Sequence, residues 1–295
     1  MKEKTIYALG FFDGVHRGHA ALLKECRRLA DLSGCRAAAV TFSSHPDTLV
    51  QGVTPRLINT IEDRVRLLEE AGMDRVVVLP FDRQMQQCPW QDFLALLTDT
   101  HQAAGLVCGH DFRFGNRGQG NADHLCAYCR EHQMPCAVVP EQKLERITVS
   151  STYIRQLLEA GEMEQANKFL GHPHILSGQV ISGRQLGRTL GIPTANLAVP
   201  EEAVALRHGV YACRVLIGEE AFLAVTNIGN RPTVGGHHVT VEPWILDFQG
   251  DLYGKTITVE FHAFLRPEQK FDSTEELKAE IQKNARQTRE FFAKK

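Results

Sequence analysis

The sequence predicts an α/β half followed by a β half: an open parallel sheet with helices on both faces, then a small antiparallel barrel closed by a C-terminal helix. Three observations predict this. Short apolar runs alternate with amphipathic stretches up to about residue 170, as in the strand–helix–strand units of a parallel sheet. Beyond Gly171-His-Pro-His174 the runs become β-rich and are separated by Gly, Asn and Pro, with no helical pattern before Ser273–Phe292. The length of 295 residues suits two domains at roughly 150 residues each. The expected division is 1–172 and 173–295.

The strands expected in the first half are Ile6–Gly10, Ala37–Phe42, Val76–Leu79, Leu106–Gly109 and Ala137–Val139. Helical periodicity covers His19–Leu32, where Leu22, Cys26 and Leu29 recur at i, i+4 and i+7. It returns at Ile61–Ala71, Trp90–Leu97, Ala122–His132, Thr152–Ala160 and Met163–Leu170. The β-runs of the second half are His174–Ile181, Val210–Ile217, Ala221–Ile228, Val239–Leu246 and Thr256–Phe264.

Composition narrows the function classes. Hydrophobic residues make up 43% and charged residues 23%, ordinary for soluble globular protein. The net charge of −2 provides no basic field for nucleic acid or an anionic membrane. No apolar run is long enough to span a bilayer, and MKEKTIYALG lacks the apolar core of a signal peptide. A cytoplasmic address is expected by default, with weak self-association left open. Eight cysteines in such a chain read as free thiols. Cys126 and Cys129, near Cys136, His124 and His132, lack the second CxxC pair of a zinc site and read as the apolar side of a helix beside Leu125.

Five stretches carry candidate chemistry. The first, Gly10-Phe-Phe-Asp13-Gly14-Val-His16-Arg-Gly18-His19, lies where a strand passes into a helix, at the sheet edge where such folds bind ligands. Its backbone N–H groups suit an anion, and two imidazoles three residues apart can donate to charge developing on a phosphate. The plain alternative is an ordinary turn with two surface histidines. In the second, Ser150-Ser151-Thr152-Tyr-Ile-Arg155, a serine can cap a helix whose start offers N–H groups, hydroxyls and Arg155 to polyphosphate. The third, Gly109-His-Asp111-Phe112-Arg113-Phe114-Gly115, offers aromatic rings for stacking on a planar ligand, or is a core-edge loop; Gly118 and Gly120 are read as keeping it mobile. The fourth runs from Gly183 through Arg184, Gly187, Arg188 and Gly191 to Pro193-Thr194-Ala-Asn196. It suits a loop over phosphates, with Thr194 and Asn196 able to reach a Mg²⁺-bound phosphate. The fifth is Glu242, a carboxylate within an apolar strand, read equally as a general base or as a salt-bridged barrel residue. Gly250–Thr256 falls one residue short of a P-loop and leads into a β-run, so it reads as a hairpin turn.

Taken together, and in this order, the motifs resemble those of the bacterial bifunctional riboflavin kinase/FAD synthetase family. Thr41-Phe-Ser-Ser-His45-Pro46, Gly209-Val-Tyr211, Asn227–Thr233, Leu246-Asp-Phe248, Asp251–Gly254 and Leu265-Arg266-Pro-Glu-Gln-Lys-Phe271 extend the match over nearly the whole chain. The resemblance implies an N-terminal Rossmann-like HxGH nucleotidyltransferase domain that joins FMN to the AMP of ATP, giving FAD and pyrophosphate. It implies a C-terminal domain that transfers the γ-phosphoryl of ATP to riboflavin. The substrates would be riboflavin, FMN and ATP, with Mg²⁺ at both sites. His16 and His19 would stabilise the phosphates, in a turn built by Gly10, Asp13, Gly14 and Gly18. Ser151, Thr152 and Arg155 would hold polyphosphate. His45, Asp111, Phe112, Arg113 and Phe114 would line the flavin or adenine site. In the kinase, Gly183, Arg188 and Gly191 would close over phosphate, and Thr194 and Asn196 would serve Mg²⁺. Glu242 would be the base at the ribityl hydroxyl, and Arg266 and Phe271 would enclose the flavin. Three departures stand out. Phe11 replaces the family's usual Asn and removes a phosphate donor, Ser44 replaces a Pro, and Asn284 replaces a common Asp. The first gives a second expectation, a riboflavin kinase with a weakened or regulatory N-terminal half.

Overall fold

The computed structural model describes residues 4–181, 191–233 and 236–294, with the backbone alone at 230–233 and 236–238. The chain forms two compact units: residues 1–57 with 61–151, and residues 58–60 with 152–295.

In the first unit the elements are β1 (Thr5–Leu9), α1 (Arg17–Ser33), β2 (Arg36–Phe42), α2 (Pro46–Val50), α3 (Ile61–Glu70), β3 (Arg75–Leu79), α4 (Arg83–Gln87) and α5 (Trp90–Ala95). They continue with β4 (Ala103–Gly109), α6 (Ala122–Glu131), β5 (Cys136–Val139) and a small hairpin, β6 (Lys143–Leu144) with β7 (Ile147–Thr148). The sheet is parallel in the order β3-β2-β1-β4-β5. It is therefore the open sheet expected, with the first strand at its centre. Burial follows from this. β1 is apolar after Thr5 and every residue in it is buried, as a strand covered on both faces requires. On one face α1 packs through Leu22, Leu23 and Cys26, and the Cys26 thiol donates to the Ile6 carbonyl at 3.3 Å. On the other, Tyr7, Leu9, Ala38 and Val40 meet Phe93, Leu94 and Leu97 of the α5 region and Leu125 and Cys129 of α6.

Two details differ from expectation. The Trp90–Leu97 helix runs on past Ala95 as a π-helical turn, Leu96–Thr100, because Thr98 turns its hydroxyl back onto the Leu94 and Ala95 carbonyls. The short helices α2 and α4 were not legible, since five residues carry too little periodicity.

The main run of the second unit opens from Thr152 within α7 (Ser151–Ala160), followed by α8 (Met163–Leu170). Asn167 ties α8 to the strands, donating to the Phe261 carbonyl at 2.7 Å and accepting from the His174 N–H at 2.7 Å. Six strands then close a barrel: β8 (His174–Ile181), β9 (Asn196–Ala198), β10 (Gly209–Ile217), β11 (Glu220–Thr233), β12 (Gly236–Ile245) and β13 (Thr256–Arg266). Their order is β10-β11-β12-β9-β8-β13, antiparallel throughout. The final helix, α9 (Thr274–Ala293), is capped by Ser273 and lays Ala285 against Val210 and Val225. No helix among the described residues is long and apolar enough to cross a membrane.

Candidate functional site

The first unit holds its histidines where β1 ends and α1 begins. His16 is the N-cap of α1, and its Nδ1 accepts the His19 N–H at 3.3 Å. The two rings stack at 3.6 Å, only 11° from parallel. Gly18 permits this arrangement, because a Cβ there would sit 3.1 Å from the His16 ring. Gly10 likewise lies against the Phe12 ring, and Gly14 takes φ 83°. No acidic residue occupies the first turn of α1, so its N-terminal N–H groups and dipole favour an anion. Burial, then His16, then Arg64 hold the His19 imidazole well below its usual pKa, so it is neutral at neutral pH.

Asp13 is buried in the same turn, and its carbonyl accepts the Ser151 hydroxyl at 2.9 Å. Ser151 is thus an anchor of the turn at the first residue of α7. Thr152 and Arg155 follow within the second unit, Thr152 exposed and Arg155 half-buried.

A cleft of about 880 Å³ opens in this unit. Phe42, Phe81, Met85 and Phe93 supply apolar wall, and Arg113, Phe114 and the turn Asn116–Gly118 supply another part of its lining. Of the residues expected around a planar ligand, Arg113 and Phe114 line the cleft. Phe112 packs against the core and stacks on Phe114 at 5.5 Å, while Asp111 points outward with 82% of its side chain exposed. His45 caps α2, accepting the Asp47 N–H at 3.2 Å, and meets the Phe11 ring edge-on at 4.6 Å. Gly115 and Gly120 are tight-packing positions: a Cβ would meet the Trp90 backbone or the Phe114 ring below 3 Å. With Phe114 and Gly120 bonded through both backbone groups, packing is the structural reason for Gly120 rather than the mobility expected of it.

One residue near the turn went unnoticed in the sequence. Arg64 of α3 is fully buried, and its Nη1 donates to the Phe11 carbonyl at 2.8 Å and the Thr41 hydroxyl at 3.1 Å. Its signal was a cation on an apolar face, three and four residues before Leu67 and Leu68.

In the second unit, residues distant in sequence converge on a cavity of about 400 Å³. Thr194, Asn227, Glu242, Arg266, Glu268 and Phe271 line it, with Trp244 and Asn284. Strand alternation explains Glu242: Val241, Pro243 and Ile245 are buried, while Glu242 and Trp244 are half-exposed into the cavity. The carboxylate is therefore not sealed in apolar surroundings. Arg266 is oriented by Asn284, whose Oδ1 accepts its Nε at 3.1 Å, and lies 5.6 Å from the Phe271 ring centroid. A second cavity of about 490 Å³ is lined by Pro193, Thr194, Phe248, Asp251, Leu252 and Tyr253. Thr194 borders both. Asn196 lies beneath, 7% exposed on β9, and its Oδ1 has no partner among the described residues. Gly191 takes φ 72°. Gly183 and Arg188 lie outside the described residues.

The cysteine cluster is close in space: Cys126 and Cys136 bring their sulfurs to 3.2 Å, and Cys129 is buried. Among the described residues no group of three or more His, Cys, Asp or Glu is placed to hold a metal.

Comparison with known proteins gives two family matches, an FAD synthetase model over residues 1–153 and a riboflavin kinase model over residues 170–292. A bifunctional riboflavin kinase/FMN adenylyltransferase of Listeria monocytogenes is 34% identical over 98% of this chain and 93% of its own. One of Escherichia coli is 35% identical over 99% and 94%. A crystal structure from Streptococcus pneumoniae, titled a macrolide-efflux protein, superposes with TM-score 0.87 at 30% identity, covering 98% of this chain and 95% of that one.

Proposed function

This chain belongs to the bifunctional riboflavin kinase/FMN adenylyltransferase family, and from that membership we propose how its residues make FMN and then FAD. The second unit phosphorylates riboflavin with ATP, and the first transfers AMP from a second ATP to FMN, releasing pyrophosphate. The functional boundary is assigned near residue 172, with 1–172 for adenylyl transfer and 173–295 for the kinase. The observation that carries the reading is the convergence of Thr194, Glu242, Arg266 and Phe271 on one cavity.

In the kinase, the flavin occupies the cavity between Phe271 and Trp244, with Arg266 over its edge. The nucleotide lies in the neighbouring cavity, so the phosphoryl group passes beside Thr194. Glu242 takes the proton from the ribityl hydroxyl as that oxygen attacks the γ-phosphorus. Mg²⁺ fits the hard oxygens of Thr194 and Asn196, the unpartnered Asn196 Oδ1 above all. When bound it neutralises charge on the transferring phosphates. Gly183, Arg188 and Gly191 are assigned to the loop over the nucleotide.

In the first unit, the ATP phosphates rest on the start of α1 and the turn of Gly10, Asp13, Gly14 and Gly18. His16 and the neutral His19, their rings stacked, donate to the oxygens that gain charge as FMN attacks the α-phosphorus. The flavin lies in the cleft lined by Phe42, Arg113 and Phe114, with His45, Asp111 and Phe112 supporting its rim. Ser151 fixes the turn, and Thr152 and Arg155 are assigned to polyphosphate. Mg²⁺ held by the ATP phosphates would neutralise their charge there. The net charge of −2 favours small molecules such as these as partners, and we assign the enzyme to the cytoplasm.

The test is incubation of the purified chain with riboflavin and Mg-ATP, following flavins by chromatography and pyrophosphate release. FMN appears first and FAD follows. FMN accumulating without FAD would leave only the kinase.

A further inference from the structure

The histidine turn holds two non-glycine residues in left-handed backbone, Phe12 at φ 60° and the β-branched Val15 at φ 38°. Such strained backbone persists only where its surroundings over-determine it. The Phe12 ring is locked beneath Gly10 and edge-on to His19 at 5.2 Å. The preceding peptide is held by Arg64. Its Nη1 donates to the Phe11 carbonyl at 2.8 Å, and reaches the Thr41 hydroxyl at 3.1 Å and the Phe42 carbonyl at 3.3 Å. Thr41 donates to the same Phe11 carbonyl at 2.8 Å. The Arg64 guanidinium carbon also lies 4.0 Å from the centroid of the Phe11 ring, which meets His45 at 4.6 Å.

Phe11 is thus gripped twice, by its carbonyl and by its ring face. A planar cation over an aromatic face is held by the ring's negative quadrupole. An asparagine at this position would offer no such face. Arg64 itself is a poor choice for stability. It is fully buried, and its Nε and Nη2 have no partner among the described residues. A buried guanidinium with unmade hydrogen bonds carries a desolvation cost that an apolar side chain of equal length avoids. Burial draws its pKa down to about 10, so it is still a cation at neutral pH.

We propose that Arg64 is a positioning residue for adenylyl transfer: it fixes the Phe11 peptide, and through it the strained turn that aims His16 and His19. The inference rests on reading the first unit as an FMN adenylyltransferase. Phe11 is then the working partner of Arg64 rather than a lost phosphate donor.

Full-length R64M and R64K decide the matter, with FMN adenylylation and riboflavin phosphorylation measured on each sample. A misplaced turn costs about 10²-fold in rate, so R64M is expected to lose that much kcat for FAD formation while the KM for FMN stays within about threefold. Its riboflavin phosphorylation is unchanged. R64K keeps one donor to the Phe11 carbonyl but lacks the planar fork, and recovers to within about tenfold of wild type. Undiminished kcat in R64M overturns the proposal. So does equal inactivity of both variants with rapid proteolysis of the first unit, which would mark a folding role. If the wild type itself makes no FAD, the reading of the first unit fails and this inference with it. Normal wild-type FAD formation with a normal R64M sinks this inference alone.

Discussion

His19 carries no charge at neutral pH, and the reason is local. Burial, the stacked His16 ring and the buried Arg64 cation all disfavour its protonated form. A neutral imidazole can still donate its N–H to a phosphate oxygen, as electrostatic stabilisation requires. FAD formation should therefore show no inflection assignable to His19 between pH 6 and 8. A limb near pH 6.5 that disappears in H19Q would contradict this. Loss of one such preorganised donor costs ~10²–10³ in kcat, the fall expected for H19A, read as pyrophosphate release from FMN and ATP. His174 shows the same physics without catalysis. It is buried on β8, and burial, then His172, draws its pKa down to about 3. The unfolded chain titrates near 6.5, so below that pH it binds a proton that the fold refuses. The stability tied to neutral His174 is complete above about pH 6.5 and is lost as pH falls toward 3. At pH 5 the loss is about 2 kcal/mol. Denaturant midpoints of the second unit should fall accordingly, and H174M should flatten that dependence.

At the scale of elements, each site depends on where a strand or helix ends. The turn after β1 is placed to hold a ligand because β1 is the central strand, with its carboxyl end between those of β2 and β4. The kinase cavity depends on α9, whose buried Asn284 holds Arg266 through Oδ1 and Gln287 through Nδ2. The sequence offered Asn284 as a departure from a common Asp. In the fold it is the joint between α9 and the end of β13. Removing one member of a buried hydrogen bond costs about 1–3 kcal/mol, or roughly five- to 150-fold in an equilibrium. N284A should raise the riboflavin KM by about that factor while FAD formation from supplied FMN is unchanged. An unaltered riboflavin KM would mean that Arg266 does not depend on this contact.

At the scale of the molecule, each unit has its own cavities and its own candidate chemistry. Two variants test whether the product of one unit feeds the other through solution. E242Q should abolish FMN formation and still make FAD from supplied FMN, while H19A should do the reverse. A mixture of the two, given riboflavin and ATP, should produce FAD, because free FMN passes between molecules. No FAD from the mixture, with each variant competent in its own half-reaction, would show that FMN is not exchanged.

Sequence alone determined the two-part architecture, the alternation of strands and helices, and the motifs from which the candidate sites are drawn. Those signals are local: hydrophobic period, Gly and Pro punctuation, and motifs whose residues sit within one turn of each other. His16 to His19 and Pro193 to Asn196 were legible for that reason. Tertiary structure alone decided what depends on residues far apart. It buried Phe114 in the core at the wall of the cleft and left Phe112 half-buried against that core. It set Glu242 at a cavity wall rather than in sealed apolar packing, and gathered Arg266, Phe271 and Asn284 beside it. It also gave Phe11 a role that its identity concealed, as the aromatic partner of Arg64, a cation fifty-three residues along the chain. A local pattern can name a residue's neighbours along the chain, but only packing settles which distant charge must be buried against it.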